Sequence, residues 1–399
     1  MWRDADTNRD MDEFAIAQAS PIWEMSVDPK IVLRGEGLKA FERAVETILS
    51  KEDTAAGFTK SEVEQLVRDA LSGIMDSTGP TVLARATSAM APLENMLSEQ
   101  PASWTFWYPI SNVTIPVGGF KMGKVTFHPP DYTAAMIETM QKVLQRRNET
   151  GESMIRDGFH NDSIAEVTVT SIGQRKAVAL STQSVVDSLS AIRLLYAPIY
   201  RDRHMFTDIK GEFTSISRSF SFASVRGVGS SYSWERLLQP VPFANRIVSQ
   251  PAAKRLDELL SKEQEIWSEI EGRVVSALRI FGRALNQSLN SDSLVGMVTA
   301  LEALLLRERD SKSEALSERG AHVLGGTASQ KWKIYNRMKN IYDVRSDLVH
   351  GKPREVTEAE LQDLTLIAQA CIDRALVLAS TLPNEGDMFR WFEEKKFRP

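Results

Sequence analysis

Cysteine is almost absent from this sequence: Cys371 is the single thiol in 399 residues. One thiol builds neither a disulfide framework nor a cysteine-based zinc site, so a reducing compartment is the natural setting. Cys371 lies in an apolar helical stripe and is expected to be a small core residue. Long apolar runs are also missing. Stretches such as Leu301–Leu306 are far too short to span a bilayer. The Asp- and Arg-rich Met1–Glu13 has no apolar segment of the kind a secretory signal needs. The expectation is a cytoplasmic protein with no membrane partner. No large excess of either charge is present: Lys and Arg number 48, Asp and Glu 53, for a net charge of -5. That excludes a uniformly basic nucleic-acid coat but leaves room for a local basic patch.

What is present reads as globular. Hydrophobic residues at 42% and charged residues at 25% are ordinary values, and the length fits two or three domains, each with a sizeable core. Residues 1–30 read as a polar arm. Helical patterns follow near 36–50, 60–76 and 80–98, the second opened by Thr59 with Glu62 as a capping box. The period then changes. Trp104–Pro116 is aromatic and β-branched, Gly118-Gly119 follows, and Lys124–His128 is a second strand-like run, which together predict a hairpin or two short strands. A helix is expected over 132–146 behind Asp131 as cap. Ile164–Ile172 alternates as a strand with Ala165, Val167, Val169 and Ser171 on one face, and 174–196 is helical. The Ser-rich 205–236, with Phe213, Ile216, Phe220 and Phe222, reads as strands and turns.

Pro240, Pro242 and Pro251 mark the expected domain boundary. Beyond it the pattern is helical throughout. Ile266, Ile270, Val274, Leu278, Phe281 and Leu285 form one stripe, and Leu294, Met297, Val298, Leu301, Leu304 and Leu305 form the next. A third helix spans about 313–324 before Gly325-Gly326, a fourth about 330–344, and a fifth opens on the Thr357/Glu360 capping box. Five amphipathic helices with short connections predict an antiparallel bundle. The fold class expected is therefore mainly α with an α+β N-terminal region. Residues 1–240 would form a sensing or partner-binding region of one or two subdomains, residues 252–385 the bundle, and residues 386–399 a charged tail.

The segment that carries chemistry is Arg345-Ser346-Asp347-Leu348-Val349-His350-Gly351. On a continuous helix, positions five apart lie about 500° apart, hence about 140° around the axis, so Arg345 and His350 converge only if the helix ends or bends between them. Asp347 and Gly351 fit such a disturbed end. Within one chain the pair is half a site; a second copy across a two-fold axis would set two Arg and two His on one groove. These side-chain types suit RNA cleavage. A neutral imidazole can take the proton of the substrate's 2′-hydroxyl, and an arginine fork can stabilise charge on the phosphate. Neither step calls for a metal, and nothing around the motif has metal-ligand spacing, so no cofactor is expected. DNA lacks the 2′-hydroxyl, so the chemistry discriminates RNA. The competing structural reading is a helix-end salt bridge with a histidine on the helix dipole.

These residues also resemble the R-x4-H signature of HEPN domains. The flanking segments narrow the likeness to the Apea-like HEPN group: Thr299–Leu305 upstream, Leu316-Ser317-Glu318-Arg319-Gly320-Ala321, then Tyr342-Asp343-Val344-Arg345. The resemblance implies a dimeric helical bundle. It also implies a metal-independent endoribonuclease acting in prokaryotic anti-phage or toxin-like defence, with Arg345 and His350 catalytic. Glu302 and Arg319 would orient Arg345 or complete the groove, with Ser346 and Asp347 as further support. Many active members carry Asn, Asp or His directly after the arginine; Ser346 stands there in this chain and can still donate and accept a hydrogen bond. The partners implied are RNA, a second copy through the bundle, and a protein or nucleotide trigger at the N-terminal region. Members that have lost catalysis suggest the alternative, a dimerisation module that binds RNA, nucleotide or a protein.

Other motifs are weaker. Gly118-Gly119-Phe120-Lys121-Met122-Gly123-Lys124 approaches a phosphate-binding loop, but Val125 replaces the metal-binding hydroxyl and a strand follows where a helix is needed. Trp104–Tyr108 could stack bases, but such a run more often packs a strand. Arg146-Arg147 reads as a solvated helix end, and Ser215–Ser224 shows no nucleophile elbow.

Overall fold

A computed structural model describes residues 36–51, 58–76, 101–111, 113–115, 117–132, 163–197, 208–209, 241–242, 250–287, 289–382 and 384–397. The expected arm 1–30, the helix 80–98 and nearly all of the helix 132–146 and of the Ser-rich 205–236 lie outside these residues. The described part is mainly α, with a small antiparallel sheet in the N-terminal half.

The chain divides into two compact units, Met1–Gln100 and Pro101–Pro399. In the first, α1 (Glu36–Leu49) packs on α2 (Lys60–Asp76). The capping box holds: Thr59 N–H donates to Glu62 Oε2 at 2.7 Å, and Glu62 N–H donates to Thr59 Oγ1 at 3.2 Å. Phe41 and Val45 are buried, as are Val63, Val67 and Ala70 at helical spacing.

The second unit begins with the sheet. Its strands are β1 (Ala102–Ser111), β3 (Phe120–Met122), β4 (Val125–His128), β5 (Ser163–Ser171) and β6 (Asp208–Ile209), ordered β3-β4-β5-β1-β6; a separate parallel pair joins β2 (Val113–Thr114) to β7 (Val241–Pro242). β1 runs antiparallel to β5 with Trp104 opposite Val169 and Tyr108 opposite Ala165. The alternation predicted for β5 is observed, with Ala165, Val167, Val169 and Ser171 buried. Trp104, Phe106 and Tyr108 pack on the core, so the aromatic run is a strand face. The glycine-rich segment is a pair of turns around β3.

Helix α3 (Gln174–Tyr196) covers the sheet; Tyr108 Oη lies 2.6 Å from Ser181 Oγ. Then come α4 (Pro251–Ser261), α5 (Glu269–Leu285), α6 (Asn290–Leu305), α7 (Lys312–Leu324), α8 (Ala328–Val349), α9 (Glu358–Ala379) and α10 (Glu385–Phe397). α5 packs on α3, α6 and α9, while α7 packs on α8. Cys371 is fully buried in α9, and burial pushes its thiol up to about 12.

Two expectations are corrected. The break between compact units falls at Gln100/Pro101, not in the proline-punctuated stretch after residue 240, so residues 1–240 and 252–385 do not separate there. The reason is a seam of small and charged residues between α3 and α5. A Cβ on Gly282 would sit 2.4 Å from Ser190 Oγ, and buried Arg193 donates to the Gly282 carbonyl at 3.4 Å. Arg279 grips Asp187 with bonds of 2.7 and 2.8 Å. The second correction concerns residues 386–399. Helix α10 places Met388, Phe389 and Phe392 in the core, so most of the expected charged tail is a docked helix.

Candidate active site

Helix α8 carries the motif. It starts on a capping box in which Thr327 and Gln330 exchange bonds of 2.8 and 3.3 Å. Met338, Ile341 and Val344 bury one stripe, and α8 packs on α6 and α7. No helix breaker intervenes between Arg345 and Val349, and helical bonding persists through His350, whose N–H donates to the Ser346 carbonyl at 3.0 Å. The chain reverses at Gly351, which has φ +72°. Gly351 N–H donates to Leu348 O at 3.1 Å and Lys352 N–H to Asp347 O at 2.9 Å, the two bonds of a Schellman cap.

The helix therefore runs to Val349, and His350 is its C-cap. The expected end near 344 is corrected to Val349, and the bend between Arg345 and His350 is not there. On this continuous helix the two residues stay about 140° apart around the axis, so one chain does not aim both at a single phosphate.

Arg345 faces inward with its side chain 20% exposed; its Nη2 lies 3.6 Å from Glu302 Oε2, on α6. Its guanidinium also lies 5.6 Å from the centre of the Tyr342 ring. Burial, then the Glu302 charge, raises the Tyr342 phenol above its ordinary value. The pairing is incomplete: Arg345 Nε and Glu302 Oε1 are both buried without a hydrogen-bond partner. Buried polar atoms in that state are exceptions that call for a physical reason. His350 is exposed at the helix end, and Ser346 is half-buried one turn before it. Asp347 accepts from Lys352 Nζ at 2.7 Å, a bond that holds its carboxyl below the usual range.

Arg319 is engaged elsewhere. It pairs with Asp310 through both nitrogens, donates to Leu305 O at 2.7 Å, and stands 4.6 Å from the centre of the Phe389 ring. Arg273 closes the same clamp, donating to Ala303 O at 2.8 Å, Leu306 O at 3.0 Å and Glu385 Oε1 at 2.8 Å. Together they satisfy carbonyls left open at the end of α6. Of the supporting residues read from the sequence, the structure brings Glu302 to Arg345 and assigns Arg319 to this clamp. Tyr342 stands in the flanking segment read from the sequence, but with no role of its own. Its position three residues before Arg345, on the same helical face, is the signal that could have found it.

A second polar cluster lies on the outer side of the sheet. Glu166 Oε2 accepts from Tyr132 Oη at 2.7 Å and Trp107 Nε1 at 3.1 Å, with His128 Nε2 at 3.3 Å but not hydrogen-bonded. The His128 and Tyr132 rings stack at 3.7 Å. Burial and the Glu166 bond push the Tyr132 phenol up to about 12. No group of three or more His, Cys, Asp or Glu among the described residues could hold a metal ion, and none of the described helices is long and apolar enough to cross a membrane. No protein-family model, curated protein or solved structure matches the chain.

Proposed function

We propose that the protein is a metal-independent endoribonuclease of the HEPN kind, acting as an effector in prokaryotic anti-phage or toxin-like defence, whose site is completed by a second copy. The observation that carries the reading is the contrast between two groups on one helix. Arg345 is a permanent cation held by Glu302 yet short of one hydrogen bond, and His350 is exposed on the C-cap of the helix, just before the Gly351 turn. In the reaction, His350 takes the 2′-hydroxyl proton and the oxygen attacks the adjacent phosphorus. The 5′-oxygen leaves and takes up a proton, giving a 2′,3′-cyclic phosphate, while Arg345 stabilises the phosphorane oxygens. Because the two side chains point away from each other in one chain, the histidine serving a given arginine comes from the partner copy.

Complementation tests this. Arg345→Ala and His350→Ala proteins, each inactive alone, regain part of the activity when mixed, because the mixed dimer holds one intact Arg/His set. Activity survives excess EDTA. Absence of cleavage by the parent on mixed RNA, or activity restored only by Mg²⁺, overturns the reading. A second reading rests on the Arg345–Glu302 ion pair. An arginine four-fifths buried beside a carboxylate also suits a non-catalytic dimerisation module, in which both variants lose fold and binding together.

A further inference from the structure

We propose that the exposed face of α8 is a stacking track for single-stranded RNA, starting at Trp332 and ending at His350. The inference rests on the RNA reading above for its ligand class, and on different residues for its evidence.

Trp332 is 65% exposed, although a tryptophan is ordinarily among the more buried side chains. It does not hang loose. Its ring lies parallel to that of Tyr335, with centres 5.5 Å apart and planes 9° apart. Tyr335 is fixed from α7, its hydroxyl donating to Glu314 Oε1 at 2.7 Å, and Lys339 Nζ lies 5.9 Å from its ring centre. The result is a pair of parallel rings open on one side, the arrangement that accepts a further flat ring by stacking.

The surrounding charge selects the partner. Between Ala328 and Tyr342 stand Lys331, Lys333, Arg337 and Lys339 without one Asp or Glu, in a chain whose net charge is -5. Arg337 pairs with Asp363 and Lys339 lies 3.8 Å from Glu314. Lys331 and Lys333, about 100° around the axis to either side of the tryptophan, have no carboxylate partner among the described residues. An open aromatic pair with lysines to either side, neither paired to a carboxylate among the described residues, matches a strand with exposed bases and a phosphate backbone. A duplex hides those bases.

Helical geometry connects the platform to His350. Eighteen residues make about five full turns, so His350 lies on the line of Trp332, about 27 Å along the axis. Lys339 and Ser346 fall within about 40° of that line, and so does Asp343, the one acidic group on it. A strand stacked at Trp332 and running along this face presents a downstream ribose to the imidazole.

The test is anisotropy of a labelled 2′-O-methyl single strand of about 12 nucleotides on the full chain; the strand lacks the nucleophile and stays intact. Trp332→Ala weakens binding roughly tenfold or more, and Trp332→Phe restores most of it. Lys333→Ala lowers the slope of log affinity against log salt by about 0.7. The matching duplex binds less tightly and is indifferent to Trp332. Unchanged affinity in Trp332→Ala overturns the track, as does a variant that turns from dimer to monomer in light scattering, since the face is then covered by a second copy. Cleavage that persists with unchanged affinity in Trp332→Ala removes the track and leaves the nuclease. Trp332-dependent binding by a parent that cuts nothing keeps the track and removes the nuclease.

Discussion

Two arginine sites at the end of helix α6 use the same side chain in opposite ways. Around Phe389, Arg319 and Arg273 find carboxylates and backbone carbonyls together, and three guanidinium groups lie within 5.4 Å of one buried ring. At the other site, Arg345 has one carboxylate at 3.6 Å, one aromatic neighbour, and an Nε with no partner. A saturated arginine is committed to holding helices together. An arginine left short carries the cost of an unmet buried group. The contrast is one of degree, since Arg255 also buries an Nε without a partner while its Nη2 holds Asp373 at 2.9 Å.

The contrast can be broken at either site. The largest effect is expected at Phe389, 1% exposed: Phe389→Ala should cost about 3–5 kcal/mol of stability, read from the denaturant midpoint, because α10 loses its anchor and the clamp its ring. A loss under about 1 kcal/mol would show that α10 is not holding the end of α6. Next comes Arg345→Lys, which keeps the charge beside Glu302 but removes the planar fork. On the proposed nuclease reading, turnover should fall about 10²- to 10³-fold while stability moves by less than about 1 kcal/mol. Equal losses of fold and rate would place Arg345 with the structural arginines.

Glu302→Gln sharpens the same point with a smaller effect. Removing the negative charge should lower the Tyr342 phenol toward its ordinary value, visible in ultraviolet titration, and should reduce turnover about tenfold as Arg345 loses its holder. A Tyr342 titration that does not move would mean that burial alone raises it. The smallest effect is the pH dependence contributed by His128 and His322, both depressed below 6.5, first by burial. The unfolded chain binds more protons than the folded one below that value, so stability is full above it and is lost as pH falls through the depressed values. Melting curves from pH 7.5 to 5 on the parent and His322→Gln check the sign; a flatter dependence in the variant is expected.

Much of the fold could be read from local chemistry. The boxes at Thr59/Glu62 and Thr357/Glu360 announce their helices because both partners lie three residues apart. The alternation in β5 survives because one face is buried and the other is not. What escaped depends on partners far along the chain. Phe389 and Phe392 sit among charges, and only arginines from three other segments make their burial intelligible. The α3–α5 seam is written in Ser190 and Gly282, small residues that signal nothing until they meet. At the candidate site, the approach of Glu302 to Arg345 was legible, while the length of α8 was not. Its last turn carries no breaker before Gly351, and the Arg/His spacing invited an earlier stop.

The turn at Gly123 bears on how the second unit assembles in time. Its φ is +62°, a Cβ there would fall 2.6 Å from Leu260 Cβ, and its N–H donates to Asp257 Oδ1 at 2.8 Å, 134 positions along the chain. Neighbouring helices such as α5 and α6 can pair early because their loop is short, whereas this closure must wait for most of the unit. The hairpin tip would be the last contact to form and the first to open, and the amide of Gly123 would exchange its hydrogen well ahead of those in α5.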